Sequence, residues 1–180
     1  YDLEGGASDQ VVVNDLMSQA VTDQFTTTAL SDGVYTFTYK LVDTAGNTSL
    51  ESDPLAVTID RTQPAISSAP DLVDVFDTGT LDSDNLTNLE NLQFSVSNLV
   101  VGETLTIYND ADDSVLGSKT ITAVTETITI NGFTEGAHTV YARLTDLAGN
   151  QCGESGALSF TVDITAIDVT GITLDLNTAD

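Results

Sequence analysis

A long internal repeat constrains the fold of this chain more than any other feature of its sequence. When the 180-residue sequence is compared with itself at a shift of 103, residues 30–62 align with residues 133–165 without a gap. In this alignment 13 of 33 positions are identical, including the motif DxAGN, a Glu-Ser pair and the closing Asp. The shift is far longer than the about 20–50 residues of a solenoid repeat, so it predicts a string of whole domains.

Each copy of the repeat carries the alternation of apolar and polar residues that is typical of β-strands. In the first copy, Tyr35, Phe37, Tyr39 and Leu41 alternate with more polar neighbours, a period of two that predicts one buried face. Further strand-like runs belong to the second copy: Leu92–Val96, Thr104–Tyr108, Lys119–Val124 and Thr127–Ile130. With a first strand somewhere in Ala65–Phe76, the pattern predicts about seven strands in an all-β sandwich of about 100 residues.

The register of the repeat also predicts where the domains begin and end. We expect a partial sandwich over residues 1–62, built from later strands only, and a complete sandwich over residues 63–165. Residues 166–180 repeat the start of the complete domain, which predicts the first strand of a following repeat. The partial domain would keep an open sheet edge unless other material supplies its strands, and exchange of the last strand between copies would build a filament.

The charge and composition of the chain exclude several classes of partner and chemistry. Lys and Arg number 4 and Asp and Glu 28, and the resulting formal net charge of -24 excludes electrostatic binding of nucleic acid or anionic membranes. No apolar run approaches the roughly 18 residues of a spanning helix, so we expect no direct membrane insertion. The single His and single Cys, His138 and Cys152, cannot assemble a zinc site or a base–nucleophile set. The composition therefore predicts a protein that is not an enzyme.

Several motifs together resemble one family of surface proteins. DxAGN is followed by Glu-Ser, by a strand ending in Val-Thr-Ile-Asp, by Thr-x-Pro, and later by DTGTLDSDNLTN. Their order resembles the bacterial immunoglobulin-like repeats that serve as tandem extender domains in large RTX-type and biofilm adhesins. The resemblance implies tandem immunoglobulin-like β-sandwiches in an extracellular stalk on the bacterial surface, stiffened by calcium. Its partners would be neighbouring repeats, with a host-surface or matrix ligand bound by other domains.

Acidic side chains are concentrated at the two poles that an antiparallel sandwich presents to its neighbours. Because consecutive strands run in opposite directions, the loop 77–85 and the end of the last strand lie at one pole, and DxAGN lies at the other. Asp and Asn suit Ca²⁺, which takes about six to eight oxygen ligands. At the following boundary the candidate calcium ligands are Asp77, Asp82, Asp84, Asn85 and Asp163, with Asp180 of the next unit. At the preceding boundary they are Asp60, Asp146 and Asn150.

These predictions have alternatives. Asp and Asn are ordinary turn residues, so the same side chains could serve only to hold loops. His138 lies at the repeat position of Tyr35, where an aromatic side chain can anchor a corner of the sandwich, and Cys152 is expected to be an incidental loop thiol. The functional alternatives to a spacer are a module that binds carbohydrate or protein through its loops, and a non-catalytic appendage of a secreted hydrolase.

Overall fold

A computed structural model describes residues 27–168 and 170–171 of the chain. The chain divides into two units, residues 1–63 with 148–150, and residues 64–147 with 151–180. The described residues form ten β-strands and one short 3₁₀-helix, so the all-β prediction is confirmed. Residues 1–26 of the predicted partial domain, and Asp180 among the predicted ligands, lie outside the described residues. Within the described part of the chain, no helix is long and apolar enough to cross a membrane.

The first unit contains an antiparallel pair of strands. Strand β1, Gly33–Phe37, pairs with β2, Leu55–Ile59, so that Gly33 lies opposite Ile59 and Phe37 opposite Leu55. The DxAGN motif lies in the long connection between them. An isolated bridge from Val42 to Thr48 closes this motif into a loop.

The second unit consists of two β-sheets. Its strands are β3 Asp71–Leu72, β4 Leu86–Thr87, β5 Leu92–Ser97, β6 Thr104–Asn109, β7 Val115–Thr120, β8 Thr125–Ile130, β9 Gly136–Thr145 and β10 Leu158–Val162. The larger sheet has the order β4-β10-β9-β6-β7 and the smaller the order β3-β5-β8. Strand β4 pairs with β10 in parallel, whereas the other neighbours are antiparallel.

The core of the second unit lies between these two sheets because alternate side chains point inward. In β5 the residues Leu92, Phe94 and Val96 are buried, and the polar residues between them are partly exposed. Strand β9 contributes Val140, Ala142 and Leu144 from the facing sheet. This period of two is the pattern that predicted strands from the sequence.

Two of the predicted strand limits are wrong. The run Lys119–Val124 was expected to be a strand, but β7 ends at Thr120. The chain turns there because the carboxylate of Glu126 accepts hydrogen bonds from the main-chain N–H groups of Thr122 and Ala123, at 2.6 and 2.9 Å. Strand β8 then begins at Thr125, two residues before the predicted start. A polar side chain has overridden the apolar pattern at this turn.

The strand count of the second unit also differs from the prediction, which gave about seven strands where the structure has eight. The additional strand is β4, two residues long and paired in parallel with the end of β10. A strand this short shows no alternation in the sequence, because alternation needs four or more residues.

The 103-residue shift of the sequence recurs in the structure. Strand β2 coincides with β10 after the shift, and the bridge between Val42 and Thr48 recurs between Thr145 and Gln151. Burial does not follow the same rule. Tyr39 and Leu41, expected on a buried face, are 51% and 45% exposed, whereas their counterparts in β9 are buried. Strand β1 ends at Phe37, before these two residues, and the described part of the first unit has two strands instead of a sandwich.

Candidate metal-binding loops

The loop between β3 and β4 is built around a buried carboxylate. Asp77 is 5% exposed, and its two oxygens accept hydrogen bonds from the main-chain N–H groups of Asn85, at 3.0 Å, and Leu86, at 3.1 Å. These bonds close the loop onto itself immediately before β4. Burial of a carboxylate is costly unless hydrogen bonds or a cation compensate it, so the two main-chain bonds to Asp77 hold this loop in place.

A second carboxylate converges on the same point. Asp84 Oδ1 accepts the main-chain N–H of Leu86 at 3.2 Å, the same N–H that donates to Asp77. Asp84 Oδ2 accepts the N–H of Leu81, also at 3.2 Å. Room for this carboxylate comes from Gly79, because a Cβ built there would lie 2.4 Å from Asp84 Oδ1. Two acidic side chains of the predicted ligand set therefore meet at one main-chain N–H.

Main-chain pairing ties the end of the last strand to this loop. The N–H of Thr161 donates to the carbonyl of Asn85 and the N–H of Asp163 donates to the carbonyl of Thr87, both at 2.8 Å. Asn85 has a φ of 55°, a left-handed conformation that Asn tolerates better than most residues. Asp163 thus follows directly on the strand pair, where its Oδ1 accepts the N–H of Thr165 at 3.2 Å. Asp82 lies exposed in the same loop.

The candidates of the preceding boundary have local structural roles. In the first unit, Asp60 Oδ1 accepts the N–H of Thr62 at 2.9 Å, and the main-chain oxygen of Asp60 accepts a bond from Asn150 Nδ2 at 3.0 Å. Asp146 belongs to the second unit. Its counterpart in the first copy, Asp43, accepts bonds from the main chain of Ala45 and from both the main chain and side chain of Asn47. The side-chain bond from Asn47 is the main cause that lowers the pKa of Asp43.

The fit of these residues to a metal ion depends on oxygen atoms other than carboxylates. Among the described residues, no group of three or more His, Cys, Asp or Glu is arranged to hold a metal. Calcium accepts amide and main-chain oxygens and water as ligands, so two carboxylates can be enough when such oxygens surround them. Asp77 and Asp84 are two such carboxylates, Asn85 follows them in the loop, and calcium binding there stays a prediction.

Sequence reasoning missed one acidic residue at the other pole. Glu103 has a buried Oε2 that finds no hydrogen-bond partner among the described residues. Burial, and then the nearby charge of Asp146, raise the pKa of the Glu103 carboxyl. Residue 103 has no counterpart at the repeat shift, because the matching position would precede Tyr1. The repeat comparison therefore gives no information on Glu103.

His138 and Cys152 are structural residues of the second unit. His138 Nε2 donates to the carbonyl of Thr134 at 2.8 Å, as the hydroxyl of Tyr35 donates to Ser31 at 2.9 Å in the first copy. The proposed corner anchor is present. Cys152 is 7% exposed and its sulfur accepts the N–H of Leu144, so the prediction of an incidental loop thiol is wrong.

The comparison with protein families identifies both copies of the repeat. The model of the bacterial Ig-like domain matches residues 6–61 and again residues 63–164. The chain belongs to the bacterial Ig-like domain family. The two matches to Ig-like domains confirm the predicted immunoglobulin-like fold class. No curated protein matches the sequence.

Solved structures resemble the chain at a distance. The BSP domain of a biofilm-associated protein is 17% identical with a TM-score of 0.36, over 76% of this chain and 20% of that one. The human OSCAR ligand-binding domain is 16% identical with a TM-score of 0.37, over 71% of this chain and 63% of that one. The chain therefore spans a fifth of the first structure's length and less than two thirds of the second's. Likeness at this level assigns no function.

Proposed function

We propose that these Ig-like domains are spacer repeats in the extracellular stalk of a bacterial surface adhesin. The observation that supports a spacer is that the two copies repeat their internal contacts as well as their strands. Lys40 pairs with Glu51 in the first copy, and Arg143 pairs with Glu154 at the same positions of the second. A spacer whose partners are neighbouring repeats needs the same internal contacts in every repeat. A binding site in one repeat would instead make the contacts of that repeat differ from those of the other.

The contacts of the polar and aromatic side chains favour a spacer over an enzyme or a sugar-binding module. His138 Nε2 is bonded to the carbonyl of Thr134 and the sulfur of Cys152 to the N–H of Leu144, so neither side chain is free to act as a base or a nucleophile. Sugar-binding platforms need free aromatic faces. In the second unit Tyr108 and Tyr141 stack on each other at 5.2 Å, and the Arg143 guanidinium lies over both rings.

Calcium at the loop of Asp77 and Asp84 is the second part of the proposal. The chain has four basic residues, and all four are already paired, with Glu51, Asp32, Glu126 and Glu154. No Lys or Arg is left to neutralise the two converging carboxylates. A divalent cation from the medium would remove this repulsion, and binding to the folded state alone would raise the melting temperature.

The test is the melting temperature of the whole chain with calcium and with chelator. Extracellular calcium modules bind at roughly 10⁻⁴–10⁻³ M, so a few millimolar calcium should stabilise the wild type. Asp84→Asn keeps the size of the side chain and one of its two acceptor oxygens but removes its charge, and should abolish the calcium effect. Asp110→Asn, at an exposed turn, is the matched control and should retain it. Equal melting of the wild type in calcium and chelator would reduce these aspartates to turn residues.

Stiffening of the stalk requires that the bound ion also order the junction. Asp163 directly follows β10, whose end is hydrogen-bonded to β4 beside this loop. An ion bound by both Asp163 and the loop would therefore fix the C-terminal end of the domain to its own acidic loop. X-ray scattering of a protein with several repeats should then show a longer particle with calcium than with chelator. Asp163→Ala should reduce the difference in particle length between calcium and chelator, while each domain still melts cooperatively. Identical scattering in both conditions would leave a spacer that works by packing alone.

A further inference from the structure

The turn between β8 and β9 contains a peptide step that is chemically labile in proteins. Asn131-Gly132 is the single Asn-Gly step of the sequence, and both residues are exposed. With no side chain on the following residue, the main-chain nitrogen of Gly132 can approach the carboxamide of Asn131 without steric hindrance. The first copy has Thr28 and Ala29 at the matching positions, so the step is a property of the second domain.

The native turn holds this nitrogen away from reaction. The N–H of Gly132 donates to the carbonyl of Glu90 at 3.0 Å and to Oδ1 of Asn91 at 3.2 Å. The N–H of Phe133 donates to the same carbonyl of Glu90 at 3.0 Å. A nitrogen that donates two hydrogen bonds is hindered from losing its proton and from turning toward the preceding side chain.

We propose that Asn131 is a site of spontaneous deamidation, and that Asn91 and Glu90 restrain it by holding the N–H of Gly132. When the turn opens, the Gly132 nitrogen gives its proton to a solvent base and attacks Cγ of Asn131. The bond from Cγ to the carboxamide nitrogen breaks, and that nitrogen takes up a proton and leaves as ammonia. Water then opens the resulting succinimide at either carbonyl, giving Asp or isoaspartate. One water is consumed, one ammonia is released, and nothing is oxidised or reduced.

The product would loosen the core of the second domain. Phe133 follows the reacting step, is 8% exposed, and packs against Phe94 and Phe160 with ring centroids 5.9 and 5.0 Å apart. Isoaspartate inserts an additional carbon into the main chain before Gly132, which displaces both N–H groups from the carbonyl of Glu90. It also adds a carboxylate to a chain of net charge -24.

The experiment compares deamidation rates by peptide mapping and mass spectrometry in mildly alkaline buffer. The samples are the whole chain, its Asn91→Ala and Asn91→Asp variants, and a synthetic peptide of residues 127–136. We expect the peptide to react fastest and the wild type slowest. Asn91→Ala should react about fivefold faster than wild type, which is the equivalent of the about 1 kcal/mol of one hydrogen bond. Asn91→Asp retains an acceptor oxygen and should stay close to wild type.

Two results would overturn the proposal. The first is a wild-type rate equal to that of the peptide, which would mean that the fold does not restrain Asn131. The second is equal rates in folded wild type and Asn91→Ala. If Asn91→Ala does not fold, hydrogen exchange of the wild-type Gly132 amide decides, because a restrained amide exchanges slowly and a free one exchanges at the rate of the peptide. Asn131→Ser, which cannot deamidate, checks that the mass gain is assigned to the correct residue.

Discussion

Asp77 and Asp84 both accept the main-chain N–H of Leu86, at 3.1 and 3.2 Å. Asp84 can reach this N–H because position 79 is a glycine, where a Cβ would lie 2.4 Å from Asp84 Oδ1. The convergence of the two carboxylates therefore depends on the missing side chain of an uncharged residue.

The first prediction concerns this glycine. Gly79→Ala should destabilise the second domain by about 0.5–1.5 kcal/mol, because the added methyl group displaces the exposed carboxylate of Asp84 from its two N–H donors. In an Asp84→Ala background the collision is gone, and the same substitution should cost much less. Urea denaturation of the four proteins in a double-mutant cycle measures this coupling. Gly153→Ala, where no atom lies within 4 Å of the new Cβ, is the control. Additive effects would contradict the steric explanation.

The apolar pattern and the repeat predicted different parts of this structure. Alternation predicted most strands of the second unit, and the shift of 103 relates β10 and the corner at His138 to β2 and Tyr35. The pattern failed at the β7–β8 turn, because the run from Lys119 is apolar enough for a strand but the carboxylate of Glu126 captures its main chain. Hydrogen bonds of this kind come from a side chain further along the sequence. The alternation of apolar and polar residues contains no information about them.

The second prediction concerns acid stability at that turn. Hydrogen bonds from Lys119, and then from Thr122, lower the pKa of Glu126 from 4.5 to about 2. Because the folded-state pKa lies below the unfolded value, ionised Glu126 stabilises the fold above about pH 4.5, and this contribution is lost as the pH falls toward 2. Glu126→Gln should therefore flatten the pH dependence of the urea midpoint in this window. Parallel curves for the wild type and Glu126→Gln would refute the assignment.

The third prediction concerns alkaline titration of Tyr141. Burial, and then its hydrogen bond to Asp113 at 2.9 Å, raise the pKa of this phenol to about 12. The folded state favours the neutral phenol, so its stabilising contribution is present below pH 10 and is lost as the pH rises through about 12. Asp113→Asn should lower this pKa but leave it above 10, since burial is the larger cause. Ultraviolet titration against Tyr141→Phe isolates the group, and Asp112→Asn in the same turn serves as the control.

The candidate site was predictable in its location more than in its contacts. Loop polarity in an antiparallel sandwich placed the 77–85 loop and Asp163 at one pole, and the pairing of β4 with β10 brings the two segments side by side. The N–H of Leu86 shared by two carboxylates and the role of Gly79 could not be predicted from the sequence, because both depend on the path of an irregular loop. The buried oxygen of Glu103 could not be predicted either, since its burial results from tertiary packing near Asp146.

The last prediction uses the repeat itself as a guide to substitution. Cys152 accepts the N–H of Leu144 at 3.0 Å, and in the first copy Ser49 accepts the N–H of Leu41 at 2.9 Å. Cys152→Ser supplies the acceptor that the first copy already uses, so we expect a cost below about 1 kcal/mol. Cys152→Ala leaves the buried N–H of Leu144 without this acceptor and should cost about 1–3 kcal/mol. Chemical denaturation of both variants under reducing conditions measures the difference. Loss of packing volume alone predicts similar costs for the two variants, so equal destabilisation would show that the sulfur serves the core as an apolar group and not as an acceptor.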